Sequence, residues 1–302
     1  MVKHVGIGLL VVFGALTLTF ILVRMSGDPS ALILPQDASS EQRELLREEL
    51  GVNQPMVQQY ISYLAGAVRG DLGNSYFDSD SVSSIVLRYL PNTAILAASS
   101  FVVTLIFAVP LGTLAAIRRG GLLDRAVQAV AVLGNSIPSF WSALLLLQVF
   151  AVKLGWFPTY GTAGALSLVL PTVNLALFLF PTMARLTRSS VIDVLPMPYV
   201  ETARTRGASE PRVITVHVLR NALLPVLALG GLQIGGLLGG AVLTETVFAW
   251  PGIGSLAVQS ISRSDFPVVQ GIVVYVAVIF AVVTVITEIM SRLANPRLRG
   301  ES

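Results

Sequence analysis

Long stretches without a single Asp, Glu, Lys or Arg constrain this chain more than any other feature. Five of them run Val5 to Val23, Thr93 to Ile117, Ala126 to Val152, Asn221 to Thr244 and Phe266 to Thr287. A bilayer core of about 30 Å is crossed by about 20 apolar residues in a helix, so each is long enough to span it. A sixth uncharged run, Leu154 to Ala184, is too long for one helix. Gly155, Pro158, Gly161 and Gly164 break its first part and leave a span from about Leu166 to Ala184. The expectation is an all-α polytopic membrane protein with six transmembrane helices. Composition agrees: 12% of the 302 residues are charged, about half the roughly 25% of a soluble domain. A globule of this size could not coat its surface with so few charges.

Two spans leave a choice open. Lys3 and His4 before the first make it resemble a secretory signal, but its apolar run is long and no small-x-small cleavage site follows Met25. It is read as a retained helix. The run from Ala126 is either one long tilted helix or a helix kinked at Pro138, where the ring removes a backbone donor.

Basic residues set the orientation. With the amino terminus inside, the cytoplasmic segments hold Lys3, then Arg118, Arg119 and Arg125, then Arg185, Arg188, Arg204, Arg206, Arg212 and Arg220, and finally Arg292, Arg297 and Arg299. That is thirteen of the twenty Lys and Arg, and both termini are expected to be cytoplasmic. The domain reading follows: 1–23 the first span, 24–92 an external helical segment, and 93–302 a core of five spans.

The external segment carries its own helix signals. Ser39 to Gln42 offers a cap, Arg43 to Leu50 reads helical and Gly51 stops it. Pro55 opens a second helix with Val57, Tyr60, Ile61 and Leu64 at helical spacing, able to pack over the spans or lie on a membrane surface. A third, about Val82 to Leu90, is expected to end before Pro91. On the inner side, residues from Arg185 to Arg220 are charged and built of short helical units. Pro196 and Pro198 interrupt the first. The second runs about Tyr199 to Arg206, with Glu201 in its first turn and Arg204 and Arg206 in its last, which suits the helix dipole. Gly207 is placed to end it in the left-handed conformation. Ser209 and Pro211 open the next. A stiff helix-Gly-helix element on the inner face of a polytopic protein is a candidate docking knob.

Chemistry is sparse. The chain has no Cys, two His (His4, His217) and two Lys (Lys3, Lys153). Neither Lys lies in a Gly-rich phosphate loop, so the chain cannot hydrolyse ATP by that route. The spans contain no paired acid, metal cluster or nucleophile–base set. Ion-driven carriers usually bury charges at roughly 2.5–3.5 kcal/mol each; here the span centres are bare. Glu245 and Glu288 sit at span ends, the latter four residues before Arg292, and both read as helix-end residues. Gly231, Gly235 and Gly239, with Gly236 and Gly240, form small-xxx-small faces on the fifth span, equally suited to packing within the chain or at a subunit seam. Gln233, Asn135, Ser136 and Asn174 are polar groups available to line a path. The chain reads as a passive conduit energised by a partner.

The stretch Tyr199-Val200-Glu201-Thr202-Ala203-Arg204-Thr205-Arg206-Gly207, followed by His217 to Pro225, closely resembles the EAA loop (about 199–225) of ABC-importer permeases. More narrowly it resembles the branch importing dipeptides, oligopeptides and nickel. Gly70-Asp71-Leu72-Gly73, Ser136 to Trp141, Glu245 to Phe248, Trp250 to Gly254, Phe266 to Gly271 and Asn295 to Arg299 fit the same branch in order along nearly the whole chain. Thr202 replaces the middle Ala, and the Leu-Pro pair comes at Leu224-Pro225 instead of at Leu219-Arg220, which suits the peptide branch. The resemblance implies a multi-pass inner-membrane permease, the first of two homologous subunits, without cofactor, metal or catalytic residue. Implied partners are the second permease subunit, one or two ATP-binding subunits, an external solute-binding protein, the lipid bilayer and a peptide substrate, with no nucleic acid. Nickel or another small solute is the alternative cargo, and an ion-coupled carrier the alternative class. The coupling loop is assigned to Glu201 as polar anchor, Ala203 as close-packing residue and Gly207 as the turn, with Thr202 and Arg206 beside them.

Overall fold

A computed structural model describes residues 2–25, 27–28, 30–35, 37–78, 80–161 and 164–294. The side chains of Lys3, Asn135, Glu288 and Arg292, the surroundings of Gly239 and Gly240, and the Asn295–Arg299 stretch, all singled out above, lie outside what it describes. Among the described residues the chain is helical, apart from an isolated bridge between Asn74 and Ser81. The α-helices of eight or more residues are α1 (Val2–Met25), α2 (Ser40–Glu49), α3 (Met56–Val68), α4 (Val82–Ile117), α5 (Leu122–Ser136), α6 (Ser139–Leu146, continued as a π-helix over Leu147–Lys153), α7 (Val169–Val194), α8 (Pro198–Thr205), α9 (Leu219–Val247), α10 (Ile253–Ser262) and α11 (Phe266–Ala294). Among the described residues, five helical stretches are long and apolar enough to cross a membrane, or six if α5 and α6 together make one span.

Proline decides differently at different places. At Ile137-Pro138 the chain turns by 101° between α5 and α6, far beyond a kink. Ile137 is extended (φ −89°, ψ 122°), as the residue before a proline prefers. Pro91 was expected to end a helix, yet α4 runs through it unbroken. Losing one helical bond costs about 3 kcal/mol, and the buried side chains Val82, Ile85 and Val86 just before it pack against Ile253, Leu256, Val268 and Ile272. That core anchors the turns before the proline, with Tyr89 and Leu90 packed against it. The fourth span also exceeds its expected end at Ala184: α7 continues to Val194, because burial continues past Arg185 even though apolarity does not.

The described chain gathers into two compact units: Val2–Thr93 with Pro251–Ala281, and Ala94–Trp250 with the chain from Val282 onwards. In the second, α7 is the central helix, packed by α5, α6 and α9. Leu175, Leu179, Met183, Thr187 and Val191 recur every four residues and are all buried, a ridge of the kind that seats into a facing helix groove. Asn174, also buried, uses its amide fully: Ser142 Oγ donates to its Oδ1 (2.7 Å), and its Nδ2 donates to Thr244 Oγ1 (2.9 Å) and the Ser139 carbonyl (3.3 Å). It ties α6, α7 and α9 together and is not free to line a path. Gln233 does face a cavity of about 260 Å³ with Ser139, Gly236 and Leu243. Ser136 Oγ is turned back onto the Val132 carbonyl.

Glycines mark the close crossings. A Cβ on Gly231 would strike Thr287 of α11, whereas one on Gly236 meets nothing within 4 Å. The repeat is therefore split between intrachain packing at Gly231 and open space at Gly236. Glu245 lies in the last turn of α9 but is wholly buried, deeper than a helix-end residue.

The first unit is built around Val82, Ile85, Val86, Ile253, Leu256, Val268 and Ile272. Ser39 and Gln42 form a full capping box on α2, and Gly51 ends it at φ +65°, both as read from the sequence. Tyr60 of α3 bonds Thr17 of α1 through its hydroxyl (2.6 Å) and, with Tyr63, packs on Phe20. Val57 and Ile61 on the same helix are exposed, so they lie off the edge that packs on α1. Asp71 Oδ1 accepts the Gly73 N–H (2.9 Å), an Asx turn that leads into α4.

On α4, a Cβ at Gly112 would stand 2.7 Å from the Ala184 carbonyl oxygen and 2.9 Å from Thr187 Cβ. Backbone cannot yield, so Gly112→Val should lower stability by about 1–3 kcal/mol or more. Gly6→Ala, which meets nothing within 4 Å, should be neutral or stabilise by up to about 1 kcal/mol. Equal unfolding midpoints for both variants in detergent would refute the close crossing.

Candidate coupling loop

The candidate site begins where α7 ends. Met197 is extended (φ −68°, ψ 140°) and Pro198 opens α8 at its first position, where a missing N–H costs nothing. Eight residues later Arg206 closes the helix and Gly207 takes φ +81°. The Gly207 N–H donates to the Arg204 carbonyl (2.9 Å) and the Ala208 N–H to the Ala203 carbonyl (3.1 Å), the paired bonds of a Schellman ending. Glycine is required there by backbone angle, since an added Cβ would meet open space. Beyond the corner, Ser209 occupies the N-cap of Glu210–Arg212 with Pro211 in the first turn, but its side chain makes no cap bond. A π-helical stretch, Val213–Val218, then joins α9; such stretches concentrate at functional places.

The element has two faces. Underneath, Val200 is fully buried among Val191 of α7, Val213 and Val218 of the π-helical stretch, Ala222 of α9 and Ala116 of α4, with Ala203 and Ala208 against the same cluster. Tyr199 Oη accepts from Asn221 Nδ2 (2.8 Å) and ties the helix to α9. On top, Glu201, Thr202, Arg206 and Gly207 are exposed. The Arg204 guanidinium spans the corner to Glu210 (Nε–Oε1 2.8 Å). An open cleft of about 570 Å³ is lined by Thr202, Ala203, Arg206 and Gly207 together with Tyr199, Arg212 and His217. Four of the five residues assigned from the sequence thus share one cleft. Glu201 is exposed on the same short helix, and Ala203 packs partly downward onto the chain's own core. No cluster of three metal-ligating side chains occurs among the described residues.

Residues 108–300 match the family model described as "Binding-protein-dependent transport system inner membrane component", and residues 2–97 match its amino-terminal counterpart, "Binding-prot-dependent transport system membrane comp, N-term". The chain belongs to this family. Relatives of the permease include a putative peptide transport system permease protein of Brucella abortus, 40% identical over 291 residues that cover 93% of each chain. The di/tripeptide transport system permease protein DppB of Pseudomonas aeruginosa is 36% identical over 329 residues, covering 99% of this chain and 98% of that one. The glutathione transport system permease protein GsiC of Escherichia coli is 40% identical over 284 residues, covering 93% and 92%. Two solved structures of the MetNI methionine ABC transporter in inward-facing conformations align with TM-scores of 0.59 and 0.61 at 20% and 19% identity. Each covers 70% of the permease and 96% of that chain, which establishes a shared fold.

One supporting residue pair was missed in the sequence. Asp124, at the start of α5, receives Nε and Nη2 of Arg188 (2.6 and 2.8 Å), the Gly120 N–H (2.9 Å) and Gln128 Nε2 (3.3 Å). This nearly buried fork fixes the last turns of α7, which lead into the candidate loop. Its one sequence signal was a lone carboxylate in a loop otherwise holding only Arg. Arg188→Ala should strand the Asp124 charge and cost about 3–5 kcal/mol. Arg204→Gln, in an exposed pair, should cost no more than about 1 kcal/mol. Thermal unfolding of the two purified variants checks the contrast, and similar losses would argue against a buried clamp.

Proposed function

We propose that this permease is one of two membrane subunits of an ATP-driven, binding-protein-dependent importer of di- or oligopeptides. In this reading it has six spans, with α5 and α6 forming the third, both termini in the cytoplasm and residues 24–92 outside. The α8 corner then faces the cytoplasm and docks in a groove of an ATP-binding subunit. Glu201 is its polar anchor, Thr202 and Arg206 flank the contact, Ala203 packs closely and Gly207 supplies the turn. Closure of the ATPase pair moves the corner, and the spans switch between outward- and inward-facing forms. One observation carries the reading: a short helix exposed on top is bolted underneath, through Val200, to the ends of two long apolar helices. A push on such an element reaches both helices without being absorbed by a soft linker.

The peptide cargo is supported by the relatives, whose names specify peptides, di- and tripeptides and glutathione; glutathione is itself a tripeptide. Labelled dialanine and longer peptides, offered beside nickel to cells with and without the chain, test it. ATP-dependent peptide accumulation that needs the chain is expected, and accumulation of nickel alone would overturn the cargo.

The corner is tested by bulk. Gly207→Ala imposes the backbone strain alone, about 1 kcal/mol, and should keep most transport. Gly207→Trp adds a large side chain on an exposed corner and should abolish uptake while inserting normally into the membrane. Wild-type uptake by the Trp variant would rule out docking at this corner.

A further inference from the structure

The unit formed by Val2–Thr93 and Pro251–Ala281 contains a second cavity, of about 450 Å³, within the usual range for ligand pockets. Its polar wall is made by Asp78, Asp80, Arg88, Gln259, Arg263 and Asp265. These groups are not equivalent. Arg88 and Asp80 are paired with each other. Asp265 is buried, and its carboxylate is held by Ser75 Oγ (2.5 Å) and the Tyr76 N–H (3.2 Å). The Asp78 carboxylate and the Arg263 guanidinium have no hydrogen bond or ion pair with any described residue, including each other. One cavity therefore presents a free anion and a free cation that do not neutralise one another.

The corner carrying Arg263 is held at a cost. The next residue, Ser264, stands at φ +59°, a left-handed conformation that a residue with a Cβ adopts only under strain. It is fixed by bonds from the Ser264 N–H to the Ile261 carbonyl (3.0 Å) and from the Asp265 N–H to the Ser260 carbonyl (2.8 Å). These are the paired bonds of a Schellman ending like the one at Gly207, here closed on a residue with a Cβ, which fixes where the exposed Arg263 stands at the cavity wall.

We propose that this cavity binds a short peptide as a zwitterion, its α-amino group at Asp78 and its α-carboxylate at Arg263. A ligand with one positive and one negative end satisfies both unpaired groups at once; a simple cation or anion satisfies one and faces repulsion from the other. The assignment rests on the peptide reading above. With residues 24–92 outside, it makes the cavity a receiving site ahead of the membrane path.

The test uses the whole transporter, with its membrane and ATP-binding partners, in lipid nanodiscs without the binding protein. Equilibrium binding of labelled dialanine is measured at millimolar concentrations, with N-acetyl-dialanine and dialanine amide as competitors. Saturable binding is expected, each blocked competitor being weaker than free dialanine by about tenfold or more. Arg263→Gln should erase the preference over the amide and keep that over the acetyl form; Asp78→Asn should do the reverse. Absence of saturable binding, or two variants that retain both preferences, overturns the site. Variants that lower cellular uptake while dialanine binding keeps both preferences also overturn it, by placing these groups against another protein. Each of those results leaves the cargo standing if cells still accumulate peptide through the chain, whereas the cargo fails only on the uptake measurement itself.

Discussion

Lipid cannot hydrogen-bond to a peptide group, and the rest of this structure follows from that deficiency. Each unsatisfied N–H or C=O in hydrocarbon costs several kcal/mol, so the spans are helices and every interruption must be compensated locally. The chain is interrupted often. Pro138 ends one helix, while Pro91, Pro181 and Pro225 lie within helices. One such group is covered locally: the Trp141 N–H, in the first turn after the break, donates to the Pro138 carbonyl (3.1 Å). Asn174 is a structural polar hub that joins α6, α7 and α9.

The same constraint limits where charge is found. Asp124 and Arg188 are both mostly shielded, and the carboxylate is surrounded by four donors. A fork with that many bonds offsets much of its desolvation cost, whereas the exposed pairs Arg88–Asp80 and Arg204–Glu210 add little. The buried pair specifies where α7 stands against α5, and the exposed pairs merely decorate corners that the backbone already defines.

How much was legible in the sequence varied with the kind of force involved. Local signals read well: the cap at Ser39 to Gln42, the stop at Gly51 and the left-handed turn at Gly207 all depend on a few adjacent residues, although Pro198 opens its helix where it was read only as a break. The helix–Gly–helix corner was visible for the same reason. Signals that depend on distant partners were lost. The turns before Pro91 are anchored by a core whose other half lies more than a hundred and fifty residues away, at Ile253 and beyond. Val57 and Ile61 share a helical stripe with Tyr60, and nothing local reveals that aromatic contacts to Phe20 decide which edge of that stripe packs. Asn174 and Asp124 looked like isolated polar residues until their partners on other helices came into view.

The wedge at Val200 also bears on attempts to rebuild such transporters. Its seat is assembled from Val191, Val213, Val218 and Ala222 on three segments, so the knob and its socket are one inheritable block. A transplant of the exposed residues alone between related chains would arrive without a matching foundation and wobble. Under the docking role proposed for this corner, exchanging its partner means moving the whole stretch from the last turns of α7 to the first turn of α9.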